Sequence, residues 1–307
     1  MRQFDRLLIV ANPTSGRGLA GRRAERVAET LRHVAREMKV VVTRGAGHAR
    51  ESVASLDAGR NLAVAFGGDG TFNELLNGAE LDHCTLAVIP AGTGNVLAKE
   101  LGMSRRPAVA ARQLLRARPL TLDMGLCNGR RFICMFGAGL DAQIVRLIHE
   151  ARGNTLTQLN YVPYVIRSVL DMPEFRIATD LDGRPFASGA VQVSVGNTHS
   201  YGGPMEMTPA ASPHDGLLDA MSLRLRSLLD VPRLTACGLL RALHLCRHAR
   251  YGRGRELVVR SEAGEVPYEL DGEAAGMLPA RISMRPAAVR VLAAPGYGHL
   301  QRHPPEP

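Results

Sequence analysis

Three short stretches carry the residue types from which a phosphate-handling site is built. The first is Gly67-Gly68-Asp69-Gly70-Thr71, with Asn73 two residues on. It follows the apolar run Leu62–Phe66 and leads into a helix-like segment bearing Leu75 and Leu76. A strand that breaks into glycines and then starts a helix lets the backbone approach a phosphate closely. The first helical N–H groups there point outward unpaired. Glycines alone also make ordinary turns. Asp69, Thr71 and Asn73, within the same few residues, suit a metal–nucleotide complex better than an empty turn. Asn12-Pro-Thr-Ser-Gly-Arg-Gly18 and Pro90-Ala-Gly-Thr-Gly-Asn95 repeat the pattern after the apolar runs Leu7–Ala11 and Thr85–Ile89. Carboxylates are the other reactive resource. Asp69 and Asp123 are candidates for holding Mg²⁺, which prefers oxygen ligands. Asp215-Gly216 and Asp271-Gly272 are open to two readings, because Asp-Gly is also a strong hairpin signal. Read from its neighbours alone, Asp271 sits in an exposed turn.

The elements that position these stretches follow from periodicity. Leu7–Ala11, Val40–Thr43, Leu62–Phe66 and Thr85–Ile89 read as strands. Helical spacing runs from about Leu19 to Glu37, from about His48 to Ala58, and through Val96–Leu101. Alternating strands and helices predict a parallel sheet covered on both faces. The three glycine-rich turns then gather at the carboxyl ends of the strands, where open α/β sheets bind ligands. After about Leu120 the pattern becomes β-rich: Leu120–Met124, Arg131–Phe136, Arg176–Asp180, Ala190–Gly196, Glu256–Arg260 and Ala288–Leu292. This predicts an α/β domain over 1–122 and a largely antiparallel domain over 123–293. A tail over 294–307 is read as loop or as packed back on the first domain. Helical insertions are expected over Ala142–Leu170 and 228–249. The second carries Arg233, Arg241 and Arg247 among leucines. It reads as a packed surface helix or as one lying on an anionic membrane.

Composition narrows the partners. The 307 residues carry a net charge of +9 and a pI of about 9.9, which favours anionic partners. Aromatics make up 4% and Trp is absent, which argues against a single-strand nucleic-acid platform. No Gly-Lys-Ser/Thr exists, so a Walker-type loop is excluded. The five cysteines form no Cys-x-x-Cys pair and read as reduced thiols of a cytosolic protein. No apolar run reaches the length of a membrane span, so the expectation is a soluble protein that meets a membrane from the side.

Taken together, the motifs resemble the diacylglycerol kinase catalytic family, which includes bacterial soluble lipid kinases and sphingosine and ceramide kinases. The likeness rests on Asn12-Pro-Thr-Ser-Gly16, Gly67-Gly-Asp-Gly-Thr71, Gly92-Thr-Gly-Asn95 and Asp271-Gly-Glu273, in that order. Phe136-Gly-Ala-Gly-Leu-Asp141, Gly196-Asn-Thr-His-Ser-Tyr-Gly-Gly203 and Pro213-His-Asp-Gly-Leu-Leu-Asp219 extend it over nearly the whole chain. The resemblance implies an NAD kinase/diacylglycerol kinase-like α/β domain, a C-terminal β-sandwich and an active site in the cleft between them. It implies that Gly67, Gly68, Asp69, Gly70, Thr71 and Asn73 bind ATP phosphates, with Asn12, Thr43, Thr93 and Asn95 also serving the nucleotide. Asp271 matches the family's general base, with Glu273 beside it. Asp215 matches a ligand of a structural Mg²⁺, completed by the backbone carbonyls of Ser212 and Leu217. One departure stands out. Val96-Leu97-Ala98 follows Asn95 where many members have Asp-Phe-Ala, so one carboxylate of the usual metal network is missing.

The function expected is an ATP- and Mg²⁺-dependent lipid kinase acting on diacylglycerol or a related membrane lipid. It is expected to be cytoplasmic, peripheral at the inner face of an anionic membrane, and without a nucleic-acid partner. A homodimer stays open. The alternatives are an NAD kinase-like enzyme with a soluble acceptor and a nucleotide-binding regulator that lost turnover.

Overall fold

A computed structural model describes residues 3–16, 18, 20–150, 175–199, 207–225, 230, 237 and 246–297. The chain divides into two compact units. The first comprises residues up to Asp123 and returns from Ala287; the second spans Met124–Pro286.

The first unit begins with β1 (Phe4–Ala11), α1 (Ala20–Leu31), β2 (Ala35–Val42), α2 (His48–Ala54) and β3 (Asn61–Gly67). It continues with α3 (Asp69–Gly78), β4 (Cys84–Pro90), α4 (Val96–Glu100) and α5 (Pro107–Leu114). The strand order is β2-β1-β3-β4, all parallel. Every residue of β3 and β4 is buried, as expected of parallel strands covered on both faces. Helix α1 turns Ala20, Ala24, Val27, Ala28 and Leu31 inward. Each fully buried Leu, Val or Phe in this core contributes about 1.5–3 kcal/mol relative to exposure.

Strand β2 corrects the expected helix to Glu37. The helix stops at Leu31 and the strand starts at Ala35, which pairs with Phe4. β2 lies at the sheet edge and is mostly exposed, so Arg36, Glu37 and Lys39 are tolerated and mimic a helical charge pattern.

β5 (Arg118–Cys127) carries the chain out of the first unit. The second unit adds β6 (Arg130–Phe132), β7 (Met135–Gly139), α6 (Leu140–Glu150), β8 (Arg176–Leu181), β9 (Arg184–Ala190) and β10 (Gln192–Gly196). Then follow β11 (Leu218–Leu223), β12 (Ala249–Gly254), β13 (Glu256–Ala263), β14 (Pro267–Leu270), β15 (Glu273–Met277) and β16 (Ala280–Ala293). One antiparallel sheet runs β12-β11-β10-β7-β14-β15. In the other, β8 pairs with β9 and β13, and β13 with the start of β16. Phe136, Val193, Val195, Leu218 and Leu270 from the first sheet share one core with Ile177, Phe186, Leu257, Val259 and Ile282 from the second. That shared core makes the unit a β-sandwich.

The expected strand Arg131–Phe136 is in fact two, β6 and β7. Strands β9, β11, β12, β14 and β15 were not apparent from periodicity. Of the expected helix Ala142–Leu170, the part after residue 150 lies outside the described residues. So do most of 228–249, residues 200–203 and the tail from 298. Among the described residues, no helix is long and apolar enough to cross a membrane.

Helices α2 and α3 pack so closely that a β-carbon on Gly78 would lie 2.4 Å from the Arg50 carbonyl oxygen. Gly78→Ala is expected to lower stability by about 1–3 kcal/mol in urea denaturation. An unchanged midpoint would contradict this packing.

Candidate functional site

The pairing register brings the three glycine-rich turns together. Ala11 pairs with Phe66, and Gly67 with Pro90, so β1, β3 and β4 end nearly level. The ladder runs on past their ends. Asn12 donates its N–H to the Phe66 carbonyl at 3.0 Å, and Ala91 to the Gly67 carbonyl at 2.8 Å. Thr43 joins them from the end of β2, its N–H on the Ala11 carbonyl at 2.9 Å.

Side chains then lock each turn. Asn12 Oδ1 accepts the Thr14 N–H at 3.0 Å, and Asn12 Nδ2 donates to Thr71 Oγ1 at 3.4 Å. Asn95 adopts a left-handed φ of 49°, a conformation Asn tolerates better than most residues. Its side chain closes the Gly92–Asn95 turn, accepting the Gly92 N–H at 2.9 Å and donating to the Gly92 carbonyl at 2.5 Å. Thr93 sits exposed at the tip. Asp69 Oδ1 accepts the Leu97 N–H at 3.2 Å, which ties the first turn of α3 to the start of α4. Val96 sits close to Gly94, and Asp69 finds its partner in a backbone amide.

Two glycines are required by space. A β-carbon on Gly67 would lie 2.3 Å from Thr71 Oγ1, and one on Gly92 would lie 2.6 Å from Gly68 Cα. The turns therefore meet backbone to backbone at the N-terminus of α3. Ten residues of α3 give that end a positive dipole. A cavity of about 170 Å³ opens beside them, lined in part by Gly16, Phe66, Ala91, Gly92 and Asn95. Arg23 and Arg105 also line it, and neither was signalled by a motif. Asn73 is buried and accepts the Asn77 side-chain N–H on Oδ1 at 3.2 Å, so its side chain faces α3 itself. Glu74 had no role from sequence. It accepts the Gly47 and Ala49 N–H groups at 3.0 Å each and so caps α2. Asp123 is buried and accepts the Ala287 N–H at 2.7 Å. That bond fastens the returning chain.

The second unit places Asp271 and Glu273 around a tight turn. Asp271 and Gly272 have φ of 52° and 82°, and Leu270 pairs with Glu273. This is the two-residue hairpin that Asp-Gly favours. The expected exposure is wrong, because Asp271 is buried. Its carboxylate turns inward and accepts three backbone N–H groups: Ile133 at 3.0 Å, Cys134 at 2.8 Å and Met135 at 3.0 Å. Charge-assisted bonds of this kind are roughly twice as strong as neutral ones. Asn197 holds the same segment, donating from Nδ2 to the Ile133 carbonyl at 2.7 Å. Glu273 lies half-buried on β15.

Ser212, Asp215 and Leu217 form a different turn, just before β11. Asp215 Oδ1 accepts the Leu217 N–H at 3.0 Å, and Oδ2 pairs with the Arg253 guanidinium. Arg253 Nε also reaches the buried Asp219 at 3.4 Å, and Asp219 accepts the Tyr251 hydroxyl. Burial pushes the Asp219 carboxyl above its ordinary range and the Tyr251 phenol up as well. The positive charge at Asp215 is thus supplied by the protein. A divalent cation at this turn would take the place of the Arg253 guanidinium on Asp215.

Comparison with known proteins matches this arrangement to one family. Residues 6–127 match the family described as diacylglycerol kinase catalytic domain. Residues 134–293 match the YegS C-terminal NAD kinase beta sandwich-like domain. The diacylglycerol kinase of Bacillus subtilis (strain 168) is 31% identical over 284 residues, covering 89% of this chain and 91% of that protein. Among solved structures, a diacylglycerol kinase from Bacillus anthracis aligns with a TM-score of 0.75 at 21% identity, covering 97% of this chain and all of that one. An NAD kinase from Archaeoglobus fulgidus in complex with ATP aligns with a TM-score of 0.57 at 12% identity, covering 96% of each chain. The α/β unit with a parallel sheet and the following β-sandwich are therefore the fold expected from sequence.

Gly92→Ala forces Gly68 and Gly92 apart. It is expected to lower kcat/KM for ATP by about 100-fold, the scale of an ångström-sized misplacement. Steady-state kinetics alongside thermal melting measures this, and unchanged kinetics would show that the contact is dispensable.

Proposed function

This chain belongs to the diacylglycerol kinase catalytic family and is a lipid kinase, a phosphotransferase with a hydroxyl acceptor; we propose that it transfers the γ-phosphoryl group of ATP to the free hydroxyl of diacylglycerol. The observation that carries this reading is the close approach of Gly68 and Gly92 at the N-terminus of α3. Phosphoryl transfer needs positioned phosphates, stabilisation of developing charge and an oriented nucleophile. The first unit supplies a concave, glycine-lined turn cluster with helix N–H groups, suited to the phosphates of MgATP. Gly67, Gly68, Gly70 and Gly92 admit them closely. Asn12, Thr43, Thr71, Thr93 and Asn95 frame them, and Asp69 serves the Mg²⁺ that arrives with the nucleotide. Mg²⁺ held there would neutralise charge on the transferring group.

The second unit supplies the acceptor chemistry. Asp271 is the general base: it orients the lipid hydroxyl and takes its proton as the O–P bond forms. Three amide N–H groups fix its carboxylate in place, and a fixed base needs no reorganisation at the moment of transfer. Glu273 assists beside it. The net charge of +9 favours peripheral contact with anionic membrane, where the acceptor resides.

Purified protein given labelled ATP, Mg²⁺ and a panel of lipids in mixed micelles should label diacylglycerol. Labelling of NAD and of no lipid would overturn the reading in favour of a soluble acceptor. Asp271→Asn is expected to lower turnover by about 10²–10⁴-fold while ATP binding persists. Undiminished turnover would remove Asp271 as the base.

A further inference from the structure

The β14–β15 hairpin contains a buried acid with no role in the transfer described above. Glu269 lies two residues before Asp271 and is 0% exposed. Its Oε2 accepts the Gly272 N–H at 2.6 Å. Among the described residues, its Oε1 meets no hydrogen-bond donor. A buried polar atom left without a partner costs about 1–3 kcal/mol, so this one requires a physical account.

The account comes from α6. A β-carbon on Gly137 would lie 2.2 Å from Asp141 Oδ2 and 2.6 Å from Glu269 Oε1. Two oxygens so near one point are neighbours, and only a glycine leaves room for both. Asp141 is itself buried. Burial first, and then the Asp141 charge, push the Glu269 pKa well above the ordinary carboxylate range. Adjacent buried carboxylates cannot both ionise. Asp271, in the turn, raises the same difficulty, while β7 carries no ionisable side chain.

We propose that Glu269 and Asp141 share one proton, and that this proton fastens the turn presenting Asp271. The Oε1–H of Glu269 donates to Asp141 Oδ2, while Oε2 keeps the Gly272 N–H. No polar atom of Glu269 is then left unpaired. The chain of contacts runs from α6 through the acid pair to Gly272, and from there to the carboxylate held by residues 133–135. Glu269 is a positioning residue and touches no substrate. Removing the proton sets two anions against each other beneath the turn and displaces Asp271. The proposal rests on Asp271 being the base.

Its test separates the two claims. At neutral pH the infrared spectrum of the full-length protein should show the carbonyl band of a protonated carboxylic acid, and Glu269→Gln should lack it. Gln mimics the neutral acid, since its amide N–H donates to Asp141 and its oxygen accepts from Gly272. Glu269→Gln should therefore retain kcat and lose the alkaline fall that ionisation of the pair causes in the parent enzyme. Glu269→Leu should lower kcat by about 100-fold with KM for ATP unchanged. Absence of the acid band, or a Gln variant as impaired as the Leu variant, would overturn the proposal. The Gln variant and the band decide the matter even if the Leu variant fails to fold. Asp271→Asn reports separately: if it stays active, the assignment of the base fails while the acid band still reads the shared proton.

Discussion

The parallel register of β1, β3 and β4 is the constraint on which nucleotide handling depends. β3 and β4 are buried at every residue, and a slip of one residue would move each side chain to the opposite, differently packed face of the sheet. Held in register, the three strands end nearly level, and their turns leave the sheet side by side. The glycines matter only because of that placement. Gly68 and Gly92 are far apart in sequence, yet they approach until a single β-carbon would separate them. The site is thus a product of hydrophobic burial in the sheet, with the polar turns carried to their places by it.

The second unit meets a different physical problem, the burial of carboxylates. Taking an ion out of water costs several kcal/mol even after relaxation, so each buried acid needs partners. Asp271 has three amide donors. Asp219 has Tyr251 and Arg253. Glu269 has one amide and the acid opposite it. Asp219 and Glu269 alternate along their strands with Leu218, Ala220, Tyr268 and Leu270 of the sandwich core, where Phe136 stacks on Tyr268 at 5.5 Å. The same low-polarity setting that makes these groups costly also makes their geometry rigid, and rigidity is what a general base requires.

Much of this was legible in the chain. Strands buried on both faces stand out as continuous apolar runs, so β3 and β4 were found to within a residue at each end, while β1 starts three residues earlier than its apolar run, at Phe4. Edge strand β2 was placed late, because solvent on one side lets charges into it. The Asp271-Gly272 hairpin was readable, but the inward turn of its carboxylate was not. Backbone conformation at a turn does not say which distant amides lie beneath it. The partner of Asp215 was equally hidden: its motif suits a cation, and the side chain that pairs with it, Arg253, lies on a later strand.

The sequence by itself determined the α/β-then-β architecture, the three glycine-rich turns and the family to which they belong. These depend on local spacing and residue type, which the chain carries explicitly. Only the tertiary structure decided which carboxylates are buried, that Arg253 occupies Asp215, and that Glu269 faces Asp141 beneath the turn of Asp271. Charge state follows from desolvation and from neighbours that folding delivers, and neither exists until strands distant in sequence have paired.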